Sequence, residues 1–244
     1  MIDFSMGWAG PLCTRTLADL GGDVLKIEAI QYPDWFRGAD PRHAYVEGQM
    51  YEKRVCFCML NRNKRGITLN LKRSQGLELA KRLVAGADVV VDNYSADVLP
   101  KHGLGYDVLR RLNPRILMMS MSAFGAESIH RDCRAHGSTL EQGSGFPVVV
   151  GKPGGPPVMS HTEFGDSVGG LNGCAVVLVA LQNARSTEQG QFIDLAQIEC
   201  RCRSQPHGLP SNRSAACRHK ISIDIHSVSR TAASDVRART AGSS

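Results

Sequence analysis

Residues 88–94, Asp-Val-Val-Val-Asp-Asn-Tyr, form a short apolar run that ends in polar side chains. Three valines without alternation fit a strand buried on both faces of a parallel sheet. Parallel strands need long crossover connections, so helices have to flank this run. Residues 74–85 supply one, with Leu77, Leu79, Ala80 and Leu83 apolar and Gly86 as terminator. After residues 96–102, a short helix is expected around residues 106–112, and then a strand at 116–121. Residues 1–5 and 23–28 read as further strands. Between them, residues 6–11 read as a turn and 13–20 as a helix closed by Gly21-Gly22. Residues 65–71 and 191–194 complete the set of strands, and a further helix begins at Leu195. Alternating strands and helices predict an α/β fold, a Rossmann-like doubly wound sheet with right-handed crossovers. Ligands of such sheets bind at the carboxyl ends of strands, here Asn70-Leu71-Lys72, Asn93-Tyr94-Ser95 and residues 122–125.

The second informative stretch is Phe164-Gly165-Asp166-Ser167-Val168-Gly169-Gly170. It stands where a polar loop meets the small and aliphatic residues 171–181, which read as a buried helix. Asp166 then lies near a helix N-terminus, where unpaired N–H groups and the dipole favour negative charge. Two readings are open: a capping aspartate before a close-packed glycine pair, or a nucleophilic carboxylate around which Gly165 and Gly169 clear space. Elsewhere, residues 136–145 read as helical and 148–150 as a strand edge. The Gly/Pro-rich turn at 151–157 lacks the Gly-Lys-Ser/Thr of a phosphate cradle. Trp35 and Phe36, within the irregular stretch 30–58, are read as anchors of a long loop rather than as cleft lining.

Charge excludes a nucleic-acid partner. The net +6 is carried entirely by residues 201–244, where eight Lys and Arg face only Asp224 and Asp235. The body is neutral, so the basic balance says nothing about it. No uninterrupted apolar run is long enough to span a membrane, and the N-terminus lacks the pattern of a secretory signal. The cysteines form no Cys-x-x-Cys pair, which predicts reduced thiols, no metal site and a cytoplasmic location.

Taken together, several motifs carry a resemblance. They are Asp3-Phe4-Ser5 with Ala9-Gly10-Pro11; residues 20–28; Asn61-Arg62-Asn63-Lys64-Arg65; residues 87–94; Leu112-Asn113-Pro114-Arg115; Gly165-Asp166; and residues 190–194. In this order and spacing the chain resembles the family III coenzyme A transferases (CaiB/BaiF), which include formyl-CoA transferase and carnitine CoA-transferase. The same fold family includes α-methylacyl-CoA racemase. The resemblance implies that CoA moves between an acyl-CoA and a carboxylic acid through an anhydride and then a thioester on Asp166. Acyl-CoA and a small acid would be the partners, with no permanently bound cofactor and with an interlocked homodimer as assembly. It further implies CoA contacts from Trp8, Ala9, Leu69, Asn70, Leu71, Lys72, Asn93, Tyr94, Ser95 and Lys101. Arg134, Ala135, His136 and Gly137 would lie beside the thioester. Ala29 departs from the arginine of formyl-CoA transferase.

Two alternatives stand beside transfer: racemase-like proton exchange using His136 and Asp166, or an inactive CoA-binding fragment. The family pattern is expected to cover residues 1–202, as part of a large domain cut short near residue 200. The Arg- and Ser-rich residues 203–244 are expected to be a disordered tail.

Overall fold

The computed structural model describes residues 1–38, 47–160 and 163–203. Six parallel strands form one sheet: β1 (Ile2–Asp3), β2 (Leu25–Glu28), β3 (Arg65–Thr68), β4 (Val89–Asp92), β5 (Leu117–Ser120) and β6 (Gln191–Asp194). Their order is β3-β2-β1-β4-β5-β6. The chain therefore builds outward from β1 to β3, then returns to the other side of β1. That reversal opens a crevice between the carboxyl ends of β1 and β4, the expected ligand position of an open α/β sheet.

The helices are α1 (Ala9–Asp19), α2 (Val55–Asn61), α3 (Ser74–Ala85), α4 (Val98–Lys101), α5 (Tyr106–Leu112), α6 (Gly137–Gly143), α7 (Phe146–Val150), α8 (Phe164–Thr187) and α9 (Gln197–Arg203). The valines of β4 are buried on both sides, as the unalternating run predicts. Val89 and Val91 join Leu117, Met119 and Ile193 under α1 and α8. Val90 joins Ile2, Ile27 and Met118 under α3, α4 and α5. Each such aliphatic side chain stabilises the fold by about 1.5–3 kcal/mol relative to leaving it in water.

The structure corrects four expectations. Helix α1 begins at Ala9, inside the stretch read as a turn. Pro11 sits in its first turn, where its missing N–H has no intrahelical partner to lose. Residues 148–150 are helical, not a strand edge; α7 starts after left-handed Gly145 and has Pro147 in its first turn. Helix α2 rises within the stretch read as irregular, burying Phe57 and Leu60.

The fourth correction concerns α8, which is buried along one face only. Gly165, Gly169, Gly170, Gly173, Cys174, Val177, Ala180 and Ala184 face the protein, while Leu171, Leu178 and Val179 are exposed. The small residues set how closely neighbours approach. A Cβ on Gly170 would lie 2.6 Å from the Ala9 carbonyl oxygen, and one on Gly165 would lie 2.7 Å from that of Gly137. Gly165 and Gly169 therefore seat α8 against α6 and α9 rather than clearing space around Asp166. By length and composition α8 could cross a membrane, but here it packs on α1, α6, α9 and β5. The predicted tail lies outside the described residues from position 204 onward.

Candidate active site

The carboxyl end of β1 is built on buried charge. Asp3 Oδ1 accepts hydrogen bonds from Ser5 N (2.9 Å) and Ser5 Oγ (2.5 Å), and Oδ2 accepts from Thr14 Oγ1 (2.7 Å). Lys64 Nζ stands 3.0 Å from Oδ2. Burial alone would raise the Asp3 pKa, but the Lys64 and Lys26 charges and the two hydroxyls outweigh it and hold it down at about 2. Lys26 Nζ donates to the Ser5 carbonyl (2.6 Å) and pairs with Asp34 at 2.9 Å. Glu28, at the end of β2, accepts both Nε (2.9 Å) and a terminal nitrogen (2.8 Å) of Arg37, whose guanidinium lies 3.8 Å from the Phe57 ring centroid. Planar two-point pairing of this kind fixes orientation as well as charge. It holds the 3₁₀ turn Trp35–Arg37 over the strand ends.

Beneath that turn lies a cavity of about 820 Å³ at the switch point of the sheet. Its wall includes Trp8, Leu69, Asn70, Leu71, Lys72, Asn93, Tyr94, Ser95, Arg134, Ala135, His136 and Asp166. Twelve of the sequence-predicted positions thus converge on one space. Three do not line it. Ala9 is fully buried at the start of α1. Lys101 points to Asp97, with which it forms an ion pair. Gly137 presents its backbone to Asp166: its N–H donates to Asp166 Oδ2 at 2.7 Å.

Several of these side chains already have partners. The Asn93 amide accepts from Met6 N (3.0 Å) and donates to the Met6 carbonyl (2.8 Å), tying the two edges of the crevice together. Asn70 Oδ1 accepts from Lys72 N at 3.0 Å, shaping the loop after β3. Trp8 Nε1 donates to Ser167 Oγ at 3.1 Å, linking α1 to the first turn of α8. His136 caps the start of α6 and meets the Trp35 ring edge to face at 5.6 Å.

Asp166 is half-buried in the first turn of α8. Burial raises its pKa first; the neighbouring Glu163 charge and a hydrogen bond between the two carboxyls raise it further. The Gly137 N–H opposes them, and the balance is about 7. A carboxyl placed so can be emptied or filled with a proton near neutrality, as a nucleophile or base requires. Among the described residues, no three His, Cys, Asp or Glu side chains gather as metal ligands.

Trp35, Phe36, Glu163 and Gln197 also line the cavity; of these, Glu163 and Gln197 were not singled out by the sequence. For Trp35 and Phe36 the loop-anchor reading is incomplete, because the same rings that close the turn also roof the cavity. Glu163 had a signal: three residues before Asp166 at a helix start, it shares that face of the helix. It sits in the left-handed region, with φ of 47°.

Comparison with known proteins places the chain in a family. The pattern of CoA-transferase family III matches residues 1–215. An acyl-CoA transferase of Fusarium pseudograminearum is 35% identical over 206 residues, covering 82% of this chain and 44% of its own. The succinyl-CoA–L-malate CoA-transferase beta subunit of Chloroflexus aurantiacus is 34% identical over 200 residues, covering 82% and 48%. A crystal structure of a CaiB/BaiF family protein from Brucella suis superimposes with a TM-score of 0.74 at 32% identity, covering 83% of this chain and 53% of that one. The chain thus spans about half the length of the curated relatives it matches.

Proposed function

Since the chain belongs to CoA-transferase family III, we propose that it forms the CoA cleft and carries the nucleophile of an enzyme moving CoA between an acyl-CoA and a small carboxylic acid. The observation that carries the reading is Asp166: a carboxylate in the wall of the switch-point cavity, with one oxygen held by Gly137 N–H at 2.7 Å. Asp166 attacks the thioester carbonyl and expels CoA, giving a mixed anhydride. CoA then attacks the aspartyl carbon to give an aspartyl thioester and release the first acid. The acceptor carboxylate completes the exchange by the same two steps in reverse. Dividing the transfer this way replaces one hard step by several easier ones. Lys72 and Arg134 in the cavity wall suit the CoA phosphates as charge partners. A paired assembly with a second copy belongs to the same proposal and is read by light scattering.

The test is incubation with a panel of acyl-CoAs, followed by mass analysis of the peptide containing Asp166. A covalent acyl or CoA adduct is expected, lost in Asp166→Ala. CoA exchange that persists in that variant would remove Asp166 from the chemistry. A second reading, α-proton exchange between His136 and Asp166, is favoured by His136 lining the same cavity directly before Gly137. It predicts deuterium uptake from heavy water at the α-carbon, lost in His136→Ala.

A further inference from the structure

Glu163 stands beside the nucleophile and has no role in the scheme above. It is the residue from which α8 departs, and its left-handed backbone turns its side chain toward α6. There it meets Asp166 over a single glycine. A Cβ built on Gly137 would lie 2.5 Å from Asp166 Oδ2 and 2.5 Å from Glu163 Oε2, so both oxygens converge on the one place a side chain is missing. Both residues line the cavity. Two carboxyls this close do not both ionise easily; they hold one proton between them.

We propose that Glu163 is the acid–base partner of Asp166, taking the shared proton from it as Asp166 attacks and handing that proton to the departing CoA sulfur. This deepens the transferase reading and rests on it. In the first step an Asp166 oxygen bonds to the thioester carbonyl carbon. The carbon–sulfur bond breaks, its electron pair goes to sulfur, and sulfur takes the proton from Glu163. The products are the mixed anhydride, free CoA thiol and an ionised Glu163. In the second step Glu163 takes the proton back as sulfur bonds to the aspartyl carbon, and the first acid leaves as a carboxylate. The proton count closes with no outside acid.

The surrounding groups do not compete for this role. Arg131, Cys133, Arg134 and His136 share the cavity wall from the loop before α6. Glu141, on α6, turns its carboxylate to Ser160, accepting from N at 3.1 Å and Oγ at 2.5 Å. Helices α1 and α9 present the neutral Trp8 and Gln197 to the cavity. Among the described residues, Glu163 is the ionisable neighbour that acts on Asp166 through its charge.

The experiment uses the full chain with Glu163→Gln, and with Glu163→Ala as a second variant should the first fail to fold. Carboxyl ¹³C NMR titration reads the pairing without turnover: Asp166 is expected to titrate near neutrality in the parent and tenfold or more lower in proton concentration units of affinity in the variant. Mass-detected acylation of Asp166 by acyl-CoA reads the proton delivery, with a loss of about 100-fold expected, the usual scale of general acid catalysis. An unmoved Asp166 midpoint, or an unchanged acylation rate, overturns the proposal. A slowed rate with an unmoved midpoint also overturns it, since that is the mark of a merely structural role. A parent chain that never acylates defeats the transferase reading itself, and with it proton delivery, while the titration separately decides the pairing.

Discussion

Lys64 Nζ lies 3.0 Å from Asp3 Oδ2, and both side chains are buried where the central strand ends. Lys64 also donates to the Pro11 carbonyl (3.0 Å) and to Asn61 Oδ1 (2.9 Å), so one ammonium joins β1, α1 and α2. Lys64→Ala leaves a buried carboxylate short of its nearest counter-charge. The expected loss is about 3–5 kcal/mol in denaturant unfolding at neutral pH. Because the Asp3 pKa is held at about 2, below its usual 3.8, the stability it lends is present above pH 3.8. It is lost as the pH falls through 2. The parent and variant unfolding curves therefore converge toward pH 2.

Two glycine substitutions should have opposite signs. Gly170→Ala drives a methyl to 2.6 Å from the Ala9 carbonyl oxygen, a backbone atom that cannot turn aside. The α1–α8 contact has to open, at a cost of roughly 1–3 kcal/mol. Gly66 in β3 has no atom within 4 Å of such a methyl. Gly66→Ala should be neutral or stabilising by about 0.5 kcal/mol, through the smaller backbone entropy lost on folding. Thermal unfolding of both variants under one buffer checks the pair.

Asp92, at the end of β4, gives a pH dependence of the opposite sense to that of Asp3. It accepts from Tyr94 N (3.1 Å) and Ser120 Oγ (3.3 Å) through Oδ1, while its buried Oδ2 has no hydrogen-bond partner among the described residues. Burial, chiefly, lifts its pKa to about 7 from the usual 3.8. The stability that goes with the neutral form is complete below pH 3.8 and is lost as the pH rises through 7. Asp92→Asn should flatten the decline of stability expected of the parent between about pH 4 and 7, read by denaturant unfolding across that range.

Gly137→Ala tests the site without touching a charged group. The new methyl would crowd Asp166 Oδ2 and Glu163 Oε2 at 2.5 Å each. Both carboxyls must swing away, and Asp166 loses its alignment with the Gly137 N–H. Acylation of Asp166 is expected to fall at least 100-fold, on the scale of a lost positioning contact, while far-UV circular dichroism keeps its parental shape.

The fold was legible because its signal is local. The valines of β4, the apolar spacing of α3 and the turns between them each specify an element within a dozen residues. The same reasoning went wrong where spacing carries no face. Helix α8 is small or aliphatic all round, so nothing in its sequence says that Leu171 is exposed and Cys174 buried. Val148 to Val150 looked like a strand by composition; with Pro147 opening a helix, the local preference for strand is overridden. At the site, the glycines and the helix start drew notice to Asp166 but left it open between cap and nucleophile; only the resemblance chose between them. Its closeness to Gly137 depends on a fold-back across 29 residues. Trp35 over the cavity depends on the Glu28–Arg37 pair, whose geometry no periodicity encodes.

The placement of α1 also sets an order of events during synthesis. The strand at the middle of the sheet is the first one made, and its partner β4 follows only after two further strands, at Val89–Asp92. Trp8 reaches Ser167, 159 residues downstream. Until α8 has left the ribosome, the apolar face of α1 lacks the helix it packs against most extensively. At about 5–20 residues per second, that wait is roughly 10–40 s. Contacts so distant along the chain also close slowly once both halves are present. A nascent chain of this topology thus keeps part of α1 exposed until its last helices are made, which is the kind of apolar surface that chaperones bind.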